Sequence, residues 1–179
     1  MKVSHEVPKC LLNNSREFND YDYCLPHLLD EDKHYRDFFY ESKKQGRYII
    51  MDNSLHELGK AYNHERLPDV WMKQAQTCAQ AKYWRQFKYP KKTKIVAVVQ
   101  GEDKIKAHLC AGLVRDLGYD KLCISYGADW YGDTPLNKAL GRINFVKELL
   151  EDKKYKDTKF HLLGCAVPQE FGWYRNEPQ

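Results

Sequence analysis

The sequence predicts an α/β protein with a parallel sheet, and three observations carry that prediction. Five consecutive apolar residues, Ile95-Val96-Ala97-Val98-Val99, run into Gln100-Gly101. The run is too short to cross a membrane and too continuous for a strand with one wet face. Shorter apolar runs of the same kind alternate with helical patterns along the chain, the rhythm of a sheet covered by helices. These runs lack a polar face, which favours strands buried on both sides over an antiparallel meander.

Taken in order, Tyr21-Asp22-Tyr23-Cys24-Leu25 reads as a short strand ended by Pro26. A helix over 31–45 follows. Its acidic start (Asp30, Glu31, Asp32) and basic end (Lys43, Lys44) suit the helix macrodipole, and Gly46 suits the left-handed stop. Arg47 to Ser54 is a second buried strand with a polar tip, Asp52-Asn53-Ser54. Leu67-Pro68-Asp69-Val70-Trp71 is a further strand end, but it comes too soon after Ser54 for a full helical crossover, so that repeat is abbreviated. A helix over 72–88 stops before Pro90, and the central strand follows. Residues 103–117 form a helix with Ile105, Leu109, Leu113 and Leu117 at four-residue spacing. Lys121 to Gly127 is a strand, and Thr134-Pro135 opens a helix in N-cap and N1 positions. That helix carries Leu136, Leu140, Ile143, Val146 and Leu150 on one face. Lys159 to Ala166 is a last buried strand, which makes about six strands in one domain over residues 1–179.

The chain has 179 residues, of which 42% are hydrophobic and 13% aromatic, enough for a core without covalent staples. A net charge of +4 permits contact with nucleic acid without demanding it. Six cysteines include no C-x-x-C pair, so the usual structural zinc spacing is absent. His56 and His64 have no spacing that selects a metal, and no metal or other cofactor is expected. Met1 to Glu6 contains no apolar signal-peptide core, which argues for a cytoplasmic protein with reduced thiols and no membrane partner.

The chemistry gathers at the strand ends. If the strands are parallel, Asp52-Asn53-Ser54, Pro68-Asp69, Gln100-Gly101 and Leu163-Gly164-Cys165 lie at one edge of the sheet, where parallel α/β folds bind ligands. A carboxylate accepts from ring N–H groups of a purine, and a Gln amide donates to its carbonyl. A glycine lets a flat ligand approach the backbone.

These four strand ends, in this order, resemble the site motifs of the tRNA-guanine transglycosylases. Val3-Ser4-His5-Glu6-Val7-Pro8-Lys9, Leu162-Leu163-Gly164-Cys165 and Pro168-Gln169-Glu170-Phe171 resemble more closely the phage and bacterial branch that includes the 7-deazaguanine DNA transglycosylases. The resemblance implies a TIM-barrel-like fold of (β/α) repeats, here shortened or incomplete. It implies exchange of guanine in DNA or tRNA for a 7-deazaguanine base. Asp52 would lie by the glycosidic bond as the catalytic carboxylate, and Ser54, Asp69, Gln100, Gly101, Gly164 and Cys165 would hold the base. The family's nucleophile, an Asp on a later strand, has no counterpart up to Gln179, and its zinc-binding cysteines are not seen. The expectation is therefore a shortened enzyme, or one that works with another subunit or a second copy of itself. The alternative is a non-catalytic relative that binds a nucleobase or nucleic acid. A phage-encoded member would act in the host cytoplasm.

Outside the strand ends, Lys82-Tyr83-Trp84-Arg85-Gln86-Phe87-Lys88-Tyr89-Pro90-Lys91-Lys92 interleaves bases with aromatics. Lys82, Arg85, Lys88, Lys91 and Lys92 would neutralise phosphates while the rings stack on bases. The competing account is an amphipathic helix end with solvated lysines. The Tyr126 to Tyr131 loop reads either as a lid or as an ordinary surface loop.

Overall fold

The computed structural model describes residues 7–25, 27–52, 94–101, 103–116, 119, 121–165 and 167–173. The expected strand end at 67–71 and the helix over 72–88 lie outside them. The described elements run α1 (Ser15–Phe18), β1 (Tyr21–Cys24), α2 (His27–Glu31), α3 (Lys33–Lys44), β2 (Tyr48–Met51), β3 (Lys94–Val99), α4 (Lys104–Asp116), β4 (Lys121–Ser125), α5 (Pro135–Glu151), β5 (Lys159–Leu163) and α6 (Glu170–Trp173). The fold is α/β, with a five-strand parallel sheet in the order β1-β2-β3-β4-β5. The chain divides into two compact units, residues 1–97 and 98–179.

In the first unit β1 pairs with β2 from Tyr21↔Tyr48 to Cys24↔Met51, and β2 pairs with β3 from Tyr48↔Lys94 to Met51↔Ala97. Ile49, Ile50, Met51, Phe38, Phe39 and Tyr35 are buried there. The helix expected over 31–45 is α3, which starts two residues later than expected, and the separate short helix α2 precedes it. Asp32 sets that start because it adopts an extended conformation and its side chain accepts from the Tyr35 N–H, so it caps α3 and does not continue α2. The end of α3 behaves as its sequence suggests. Gly46 has φ +71°, and Gly46 N–H and Arg47 N–H donate to the carbonyls of Lys43 and Ser42, the paired bonds of a Schellman stop. Lys43, in that last turn, is buried, and the burial pulls its ammonium down to about 8.

In the second unit β4 pairs with β5 from Lys121↔Lys159 to Ser125↔Leu163. Thr134 caps α5 by accepting from the Asn137 N–H at 3.1 Å, with Pro135 first in the helix. The helix faces differ from the hydrophobic stripes in the sequence. Ile105 is 73% and Leu109 60% exposed, while Ala107, Cys110, Ala111 and Val114 form the buried side of α4. On α5 the buried side is Ala139, Arg142, Ile143, Phe145, Val146 and Leu149, leaving Leu136 and Leu140 exposed. β5, expected to be buried throughout, is only partly covered because it is the last strand in the sheet order.

Among the described residues no helix is long and apolar enough to cross a membrane. Leu149→Ala removes a fully buried side chain and should cost about 2–5 kcal/mol. Leu109→Ala should stay within about 0.5 kcal/mol of wild type, because its side chain already meets water. Urea unfolding of the two variants checks both.

Candidate functional site

Asp52 directly follows the last residue of β2 and is 6% exposed. The register sets Tyr23 opposite Ile50, so Tyr23, Ile50 and Asp52 share one face of the sheet. The Tyr23 hydroxyl donates to Oδ2 of Asp52 in a short hydrogen bond. The Asp52 N–H continues the β1–β2 pairing by donating to the Cys24 carbonyl at 3.0 Å. One step further along β1, the Leu25 N–H donates to the Tyr35 hydroxyl at 2.8 Å. Asp52 thus stands at a paired strand end, with its carboxylate engaged by Tyr23.

Gln100 directly follows β3 and is half-buried. Its backbone is tied to Cys110 on α4, whose thiol is pushed up to about 11 by burial, with the Gln100 backbone hydrogen bond working the other way. Gly101 does not offer an open backbone. A Cβ there would overlap the Ala107 backbone nitrogen, so the glycine admits α4 against the strand end. The Gly101 carbonyl accepts from Trp130 Nε1 at 3.0 Å. Trp130 meets the Phe145 ring edge-on at 5.3 Å and lies 4.3 Å from the Tyr131 ring. The 126–131 loop is therefore anchored by its aromatics to α5 and to Gly101.

At the end of β5, Gly164 has φ +70° and is exposed, as is Cys165. The Gly164 carbonyl accepts from Arg142 Nη2 at 2.9 Å, and the Cys165 thiol lies 3.2 Å from the Val167 carbonyl. A Cβ on Gly164 would stand 3.4 Å from Cβ of Tyr126, so the β4 and β5 ends lie side by side. His161, on β5 opposite Cys123, is held down to about 4, first by burial and then by the charges of Lys121 and Arg142.

Ser54, Asp69, Lys82, Arg85, Lys88, Lys91 and Lys92 lie outside the described residues, as do His5, Glu6, His56 and His64. The five described cysteines are free thiols, and among the described residues no three His, Cys, Asp or Glu side chains group as a metal site. Sequence reasoning missed three contributors. Tyr23 was legible only as a strand residue and Trp130 only as a loop residue. Arg142 left one signal, a cation inside the apolar stretch of α5.

No protein-family model, curated protein or solved structure matches the chain, so function is argued from these residues.

Gly101→Ala forces backbone apart and should cost about 1–3 kcal/mol, read as a lower urea midpoint. His161 generates a pH prediction. As pH falls below about 6.5 the unfolded chain protonates this imidazole, whereas the folded chain resists until about 4. Stability is therefore lost across that window. The fall in Tm between pH 7 and pH 4.5 should be smaller in His161→Gln than in wild type.

Proposed function

We propose that the chain binds guanine or a 7-deazaguanine at the C-terminal ends of its parallel strands, as a transglycosylase-like protein acting on DNA or tRNA. The observation that carries this reading is placement. Asp52, Gln100 and Gly164 each directly follow a strand, β2, β3 and β5 respectively. Such strand ends are where parallel α/β folds bind ligands, and the resemblance puts base recognition there. In this reading Gln100 donates to the base carbonyl, and Asp69 accepts from ring N–H groups. Asp52, oriented by Tyr23, supports the glycosidic bond. The sheet is taken as part of a shortened (β/α) barrel.

The net exchange breaks the bond from C1′ to N9 of guanine. Guanine leaves with the bonding pair and takes up a proton. The incoming base gives up its N9 proton and forms the new bond to C1′. A target inside a duplex or a folded tRNA must first leave its stack. The family places a nucleophilic Asp on C1′ during this exchange. Asp129 accepts from Lys138 at 2.9 Å and Asp133 from Asn137 at 2.9 Å, so both are engaged in surface contacts at the start of α5. That engagement favours the second reading, a non-catalytic relative that binds a nucleobase or nucleic acid.

Gln100→Ala and Asp69→Ala should each weaken guanine binding at least tenfold, about 1.4 kcal/mol, with the fold retained. Asp52→Asn should remove exchange while leaving much of the binding. Equilibrium dialysis measures the first, and incorporation of labelled guanine into tRNA or duplex DNA the second. Unchanged affinity in both binding variants would overturn the proposal. Binding by wild type without incorporation into either polymer would select the second reading.

A further inference from the structure

Arg142 is the largest fully buried side chain among the described residues, at 1% exposure, and every N–H direction of its guanidinium that the structure defines meets an acceptor. Its Nε and Nη2 donate to the same oxygen, Oε1 of Glu170, at 2.9 and 2.6 Å. Nη1 donates to the Leu163 carbonyl at 2.7 Å and, at the 3.5 Å limit, to the Ile124 carbonyl. Nη2 also donates to the Gly164 carbonyl at 2.9 Å. Only a rigid planar fork spans acceptors on two strand ends and a third segment; a lysine ammonium has three donors on one atom.

Two consecutive carbonyls, Leu163 and Gly164, are thus turned onto one cation. In a trans peptide the N–H lies opposite the C=O, and the described chain contains no cis peptide. The N–H groups of Gly164 and Cys165 therefore face away from the buried guanidinium. The left-handed φ of +70° at Gly164 belongs to this arrangement, and it is a conformation that glycine adopts without strain. Tyr126 flanks the same corner, with its ring centroid 5.3 Å from the guanidinium carbon. A backbone donor at the exposed end of β5 is held by a side chain that has no exposed surface of its own.

The geometry points to Arg142 as the positioning residue of this strand end: by holding the Leu163 and Gly164 carbonyls, it presents the Cys165 N–H as a fixed donor to the carbonyl oxygen of a 6-oxopurine. This inference rests on the base-binding reading above and adds to it the residue that fixes a second donor to the oxygen beside Gln100. Glu170 neutralises the guanidinium and holds it in place, so the donor is set before the base arrives. Arg142 never touches the base; it acts through the peptide.

The test uses the full chain, labelled guanine, and labelled 2-aminopurine, which lacks the oxygen. Wild type should bind guanine at least tenfold more tightly. Arg142→Lys should lose most of that preference while its 2-aminopurine affinity stays within about twofold, a pattern that general loosening of the fold does not produce. With cysteine amides labelled with nitrogen-15 and Cys165→Ser used for assignment, the wild-type Cys165 amide should shift on adding guanine and not on adding 2-aminopurine. This second measurement needs no folded Arg142 variant. Arg142→Lys with its preference intact would overturn the positioning role and leave base binding standing, as would guanine binding that leaves the Cys165 amide unmoved. Equal wild-type affinity for the two bases would do the same. Binding of neither base by wild type would remove the base-binding reading, and this inference with it.

Discussion

A buried guanidinium persists only where its charge and its N–H groups are met, and the second unit is arranged around that constraint at Arg142. Glu170 supplies the charge, and the ends of β4 and β5 supply the carbonyls. Removing one partner of such a pair leaves an uncompensated buried charge, typically at a cost of about 3–5 kcal/mol. The pair also ties α6 to α5 through its first residue. Four residues are too few to sustain a helix by their own hydrogen bonds, so tertiary contact must hold it, and Glu170 provides that contact.

The first unit meets a related problem with different groups. Beyond the last paired residue a strand has backbone and side-chain polar groups with no ladder to join. At the start of the β1–β2 pair, Arg47 Nε donates to both oxygens of the buried Asp22, at 3.0 and 2.9 Å, and its Nη2 reaches the Asn19 carbonyl at 2.6 Å. At the opposite end the hydroxyls of Tyr23 and Tyr35 engage Asp52 and the Leu25 N–H. Structural pairing and candidate chemistry thus occupy opposite ends of the same strands. Asp22 is as buried as a catalytic carboxylate could be, but the Arg47 Nε–H, shared between its two oxygens, already commits it to holding the fold.

The strands β2, β3 and β4 were legible because continuous apolar runs bounded by polar or glycine residues have few other uses in a chain of this size. The helix faces were not. On α4 the eye follows Ile105 and Leu109, the bulkiest apolar residues, yet the buried side uses Ala107, Cys110, Ala111 and Val114. Close approach decides this. Gly101 brings strand end and helix so near that not even a Cβ fits, and small side chains suit such a contact. Gly101 itself shows the same limit: a glycine at a strand end reads equally well as room for a ligand or room for a helix.

By itself the sequence determined the alternation of strands and helices, the parallel class of the sheet, the stop at Gly46 and the cap at Thr134, all set by local backbone chemistry and short-range patterning. It also determined that Asp52, Gln100 and Gly164 fall at strand ends, since each follows an apolar run. Only the tertiary structure decided which residues those ends answer to. Tyr23 reaches Asp52 from 29 residues away, Trp130 reaches Gly101 from 29 and Arg142 reaches Gly164 from 22. A side chain's partner depends on where strand register and helix packing deliver it, and neither is written in the neighbouring residues.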